Sequence, residues 1–182
     1  MRNMVVAGGQ LGPISRDETK ASAVNRMIAL MNQAASRGAQ LIVFPELALT
    51  TFFPRWWVEN KTDFDHMFER EMPNEDVLPL FETSKKLNIA FHLGYAELTP
   101  DGHRYNTAIM VNNIGKIIGT YRKIHLPGHS DNQEWRPFQH LEKYYFEKGN
   151  LGFPVFDALD AKIGMCICCL LYTSPSPRDS NL

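Results

Sequence analysis

Within the first 46 residues a strand, an amphipathic helix and a second strand follow one another, the order of a crossover unit. Met4-Val5-Val6-Ala7-Gly8 reads as a buried strand. Ser15 and Glu18 stand three apart, the spacing of a capping box that would open a helix. Val24, Met27, Ile28, Met31 and Ala35 then recur at helical spacing, and Gly38 suits the position just past a helix end. Leu41-Ile42-Val43-Phe44 is an unbroken apolar run, as in a strand covered on both faces. Two such strands joined through a helix make a right-handed parallel crossover. The fold class is therefore α/β.

The rest of the chain continues the pattern. Residues 50–73 are aromatic and interrupted by Pro54 and Pro73, so they read as a loop. A second helix is predicted over 76–88, with Pro79 tolerated in its first turn. Ile89 to Ala96 reads as a strand. Tyr105–Val111 and Lys116–Tyr121 flank Asn112-Asn113-Ile114-Gly115, a hairpin signal. The stretch 126–150 is irregular, and Pro154–Phe156 and Lys162–Cys168 are the last strand-like pieces.

Composition narrows the function classes. A net charge of -1 gives no field suited to nucleic acid or an anionic membrane surface. No apolar run approaches the roughly 20 residues of a membrane span. The apolar part of the N-terminus is too short for a secretory signal. The three cysteines, 166, 168 and 169, are too crowded to staple distant segments. A reducing, cytoplasmic setting is expected, with no metal site, because a second ligand pair is missing.

Three residues carry chemistry by position. Glu46 follows Phe44-Pro45 at the end of an apolar strand, where open α/β sheets place their sites. Lys123 lies in Tyr121-Arg122-Lys123-Ile124-His125-Leu126-Pro127-Gly128, and Arg122 beside it would point to the opposite face. Cys168 ends the run Ala161-Lys162-Ile163-Gly164-Met165-Cys166-Ile167-Cys168. Singly, each has a plainer reading: a surface carboxylate, a solvated ammonium, a small buried thiol. Together, a base and a cation beside a thiol would make it a nucleophile. Cys166 shares the strand face of Cys168 but lies one pleat short of the end. Asn106 reads as a strand-start residue bonding local backbone.

Glu, Lys and Cys in this order, each at a strand end, resemble the catalytic triad of the nitrilase (carbon–nitrogen hydrolase) superfamily. The phrases 44–56, 92–98, 121–129 and 136–149 look like those of N-carbamoyl-D-amino acid amidohydrolase. The resemblance covers residues 4–169. It implies a four-layer α-β-β-α sandwich, here incomplete, and a homo-oligomeric parent enzyme that needs no metal or organic cofactor. The implied substrate is a small molecule with an amide or carbamoyl group. By the same resemblance Glu46, Lys123 and Cys168 are catalytic. Glu142 matches a second active-site carboxylate. His125 and His140 match histidines lining the pocket, and the backbone N–H of Cys169 would serve as an oxyanion donor. Other amidases, nitrilases and N-carbamoyl-polyamine hydrolases of the superfamily are the alternatives, together with a catalytically silent fragment.

The resemblance fails after the nucleophile. In that family an Asn-Asp-Arg-Arg type segment follows, whose arginines grip the substrate carboxylate. Here Cys169-Leu170-Leu171-Tyr172 stands in its place. Residues 170–182 read as a foreign or disordered tail, and Leu-Leu-Tyr-Thr-Ser-Pro-Ser-Pro-Arg-Asp-Ser resembles translated sequencing-adapter sequence. Residues 1–169 would then be a partial domain, inactive by itself, exposing apolar strand residues such as 163–167.

Overall fold

The computed structural model describes residues 3–168. Its five-stranded sheet is built from β1 (Val6–Gly8), β2 (Leu41–Val43), β3 (Ala90–Leu98), β4 (Arg104–Val111) and β5 (Ile117–Arg122), in that spatial order. β1, β2 and β3 run parallel. β3, β4 and β5 run antiparallel, and the register shifts at Met110/Val111. The parallel half follows from the helical crossovers and the antiparallel half from short turns. A separate hairpin pairs β6 (Val155–Ala158) with β7 (Ala161–Gly164).

Alternation along the strands sorts side chains between the two sheet faces. Ile42, Phe91, Leu93, Ile109 and Val111 point towards α1 (Lys20–Ser36) and α2 (Leu78–Leu87), which supply Val24, Met27, Met31, Leu80 and Phe81 to the main core. Leu41, Ala90, Ala108, Met110 and Tyr121 point the other way and pack against Met165 and Ile167 from beyond β7. The expectation that 163–167 lies exposed is thus wrong for those two residues. Among the described strands, the large apolar side chains that are exposed are instead Val6, Val43 and Val155. Val6 also corrects the reading of β1 as fully buried: it lies on an edge strand with one face open.

Two further expectations change. The capping box of Ser15 and Glu18 does not form. Thr19 caps α1 by accepting from the Ser22 amide at 3.2 Å, while Glu18 is taken up by the Ser22 hydroxyl and Arg26. The last strand stops at Gly164, four residues before Cys168.

A third cluster sits at one end of the sheet. Phe53, fully buried, is ringed by Phe64, Phe68, Tyr145 and Phe146 at centroid distances of 5.3–5.8 Å. The stretch read as loop therefore contains short 3₁₀ turns at Phe53–Arg55 and Lys61–Met67, folded around an aromatic core. That core seats α3 (Glu142–Tyr145), a four-residue helix within the otherwise irregular 126–150.

Candidate active site

Glu46 reaches its place because of what β3 lacks. The turn Pro45–Leu47 lies directly on Gly94, where a Cβ would come within 2.9 Å of the Pro45 carbonyl oxygen and 3.1 Å of the Glu46 Cα. Only glycine allows this approach. Leu47 takes a positive φ of 50°, and the Ala48 amide donates to the Gly94 carbonyl at 2.8 Å. The carboxylate is thereby turned inward, with its side chain 20% exposed.

Lys123 follows β5 immediately. Its amide donates to the Asn106 carbonyl at 2.8 Å and its carbonyl accepts from the Gly149 amide at 2.9 Å. The side chain is fully buried. Its Nζ lies 2.6 Å from Glu46 Oε1 and 2.6 Å from Glu142 Oε2. Glu142 comes from α3 and is itself 1% exposed. Asn106, in the middle of the sheet, completes the cluster. Its Nδ2 donates to Glu46 Oε1 at 2.6 Å and approaches Glu142 Oε2 at 3.5 Å.

These charges oppose and support one another. Burial works against the Lys123 ammonium, but the Glu46 and Glu142 carboxylates outweigh it and hold the lysine above its ordinary value. Glu142 is pushed up by burial first and by the Glu46 charge second, with Lys123 and His140 partly offsetting both. Stability gives no reason for such an arrangement. Buried ion pairs are often no better than apolar residues of similar volume. What the cluster provides is a fixed ammonium and two fixed carboxylates in a site of low dielectric, where charge stabilisation is strongest.

The other sequence candidates are placed differently. His140 Nε2 lies 3.4 Å from Glu142 Oε1, and the imidazole meets the Phe52 ring edge-on at 6.2 Å. Its backbone is held by Gly128, whose φ of +78° lets the His129 amide reach the His140 carbonyl at 3.0 Å. The ring of His125 lies 6.3 Å from that of Phe153. Arg122 does point away from Lys123. It pairs with Glu97 at 2.5 Å and lies over the Tyr105 ring. Cys168 is exposed, with φ +49°, a conformation that a non-glycine residue adopts at a cost and that recurs at functional turns. Cys166 is exposed too, and buried Met165 and Ile167 alternate with the two thiols. Cys169 lies outside the described residues, as does the tail.

Asn106 is the residue that sequence reasoning misplaced. It bonds the side chains of the two carboxylates as well as offering its backbone carbonyl to Lys123. No local signal marked it: Tyr105-Asn106-Thr107 reads as an ordinary strand start, and its side-chain partners lie 36 and 60 residues away.

The chain is similar to known proteins over most of its length. The carbon-nitrogen hydrolase family pattern matches residues 5–173. A citrullinase of Francisella tularensis is 32% identical over 170 residues, covering 92% of this chain and 54% of that protein. An N-carbamoylputrescine amidase of Solanum tuberosum is 27% identical over 167 residues, covering 92% and 51%. The crystal structure of a carbon-nitrogen hydrolase from Helicobacter pylori G27 superimposes with a TM-score of 0.73 at 23% identity, over 93% of this chain and 53% of that one. The chain thus spans about half the length of the curated relatives it matches. With a sheet, helix pair and buried Glu-Lys-Glu cluster in place and a family match over nearly its whole length, the chain belongs to the carbon-nitrogen hydrolase family.

Proposed function

We propose that this chain carries the base, cation and nucleophile of an amidohydrolase acting on ureido compounds, with N-carbamoyl-D-amino acids as substrates. The observation that carries the reading is the buried Lys123 ammonium held at 2.6 Å from each of two carboxylates. The names of the two curated relatives support the substrate class, because citrulline and N-carbamoylputrescine are both ureido compounds.

In this reading Glu46 takes the Cys168 thiol proton as the sulfur attacks the carbamoyl carbon. The carbonyl π electrons move to oxygen, and Lys123 stabilises the oxyanion. The Cys169 N–H is proposed as a second donor. Collapse of the tetrahedral intermediate expels ammonia or the amine, which receives the proton from Glu46. Glu46 then deprotonates a water that attacks the thioester-type intermediate and frees the thiol. Glu142 and Asn106 hold Lys123 and Glu46 in register.

Ammonia release from N-carbamoyl-D-phenylalanine tests the proposal. The 182-residue chain is expected to be inactive. A chimera in which the C-terminal half of the citrullinase replaces 169–182 is expected to turn over, and to lose turnover in Glu46→Gln, Lys123→Ala and Cys168→Ala. Because the three act as a unit, their effects should be far from additive. A chimera that hydrolyses citrulline or N-carbamoylputrescine but no N-carbamoyl-D-amino acid would sink the substrate assignment and keep the chemistry.

A further inference from the structure

A cleft of about 270 Å³ opens beside Glu46, between residues 11–14 on one wall and 45–55 on the other. The first wall is pinned: Arg26 donates to the Leu11 carbonyl at 2.9 Å and to the Pro13 carbonyl at 3.3 Å, and is itself tied to Glu18. The second wall is bonded to the segment that bears His140 and Glu142. The Gln139 amide donates to the Arg55 carbonyl at 3.0 Å and the Leu141 amide to the Pro54 carbonyl at 2.8 Å. The cleft is therefore preformed and linked through backbone to the buried cluster.

The charged lining residues are two, Glu46 and Arg55. Among the described residues Arg55 has no carboxylate at ion-pair distance. Its guanidinium instead lies over the Phe138 ring at 5.2 Å and near Trp56 at 6.0 Å. Between the two charges the walls are apolar or hydroxylic. They include Thr50, whose Oγ1 is buried without a hydrogen-bond partner. An anionic ligand would be repelled from the Glu46 side and drawn to Arg55, so the cleft has a polarity that fixes ligand direction. A volume of about 270 Å³ is below the roughly 300–1,000 Å³ of drug-sized ligand sites, which limits the occupant to a small metabolite.

We propose that this cleft binds the far end of the substrate and that Arg55 pairs with a carboxylate there, selecting ureido acids over ureido amines. The assignment of the ureido end rests on the function proposed above; the anion site at Arg55 does not. A planar guanidinium matches a carboxylate in two parallel hydrogen bonds, which an ammonium does not reproduce.

The test measures binding to the full 182-residue chain by ligand-observed NMR, with three probes. N-carbamoyl-D-phenylalanine has both groups, 3-phenylpropionate only the carboxylate, and phenethylurea only the ureido group. Arg55→Met is expected to weaken the first two at least about tenfold and to leave phenethylurea unchanged. Arg55→Lys should recover part of the loss, and the affinity for 3-phenylpropionate should fall with added salt. Equal affinity of wild type and Arg55→Met for both carboxylates would overturn the proposal, as would failure of all three probes to bind. Arg55-dependent binding of 3-phenylpropionate without binding of phenethylurea would sustain the anion site and count against the ureido reading instead.

Discussion

Lys123 and Cys168 each follow a strand, yet their settings differ in kind. Lys123 is fully buried, and each group bonded to its ammonium comes from a different part of the chain: Glu46 from the turn after β2, Glu142 from α3. Asn106 of β4 ties the two carboxylates together. Cys168 is exposed, beyond a two-stranded hairpin whose Val155 is also exposed. That hairpin meets the main sheet through Phe156, packed where β5 has Gly119. The ion-paired residues are enclosed by packing that the described residues already supply. The thiol depends on a backbone turn, not on enclosure. The buried ionised cluster and the exposed thiol are thus separable in this fold, and they should fail separately.

The sharpest way to break the comparison is to delete each side chain. Lys123→Ala leaves two carboxylates buried beside each other, so unfolding by urea should show a loss of about 3–5 kcal/mol. Cys168→Ala, at an exposed position, should shift stability by no more than about 0.5 kcal/mol. Similar losses in the two variants would mean that Cys168 is as deeply integrated as Lys123. Adding Glu142→Gln to Lys123→Ala should recover part of the loss, since one of the stranded charges is removed.

A smaller effect is expected at Gly94. The methyl of Gly94→Ala would press on the Pro45 carbonyl and the Glu46 backbone at 2.9–3.1 Å, a clash typically worth about 1–3 kcal/mol. It should displace Glu46 and leave Cys168 reactivity untouched. A Gly94→Ala variant with the stability of the wild type would show that the turn tolerates a Cβ.

How far the sequence could be read follows the same division. Local patterns placed α1, α2 and the central strands within a few residues, because a buried face imposes its own periodicity. The errors fell where partners are distant in sequence. Glu18 looked like half of a capping box until Arg26 and the Ser22 hydroxyl claimed it. Asn106 looked local although its side-chain partners are 36 and 60 residues away. Residues 50–73 lack periodicity since their aromatics converge on a point, Phe53, and not on a sheet face. Glu46 and Lys123 were legible from their phrases, but their shared partner Glu142 came only from family resemblance. Nothing local distinguishes a carboxylate on one turn of helix from a surface residue.

Titration tests the enclosed side of the comparison. Glu142 lies above its ordinary 4.5, chiefly through burial, so the native chain holds that proton more tightly than the unfolded chain. Its contribution is complete below pH 4.5 and is lost as pH rises through the native value, with a slope of at most about 1.4 kcal/mol per pH unit for one proton. Lys123 is raised as well, so its stabilisation is present below 10.5 and is lost on the alkaline side. Relative to Glu142→Gln, the wild type should therefore lose stability as pH climbs from 4 towards neutrality. A pH-independent difference between the two would remove Glu142 from the buried titrating cluster.

The least dramatic measurement bears on the exposed side. Cys166 and Cys168 are both accessible, so access alone predicts similar alkylation rates. Thiolate character does not: a thiol near a fixed cation and base reacts faster than a solvated one. If Cys168 stands over the Glu46–Lys123 cluster, iodoacetamide should label it several times faster than Cys166 in folded protein, at a ratio read by peptide mapping. Lys123→Ala should shrink the ratio towards one without changing the Cys166 rate, and denaturation should abolish it. Preferential labelling of Cys166 would reassign the nucleophile. A ratio above one that survives Lys123→Ala would mean that the turn at Cys168, with its φ of +49°, activates the thiol by itself, and the two regions would be independent in chemistry as well as in packing.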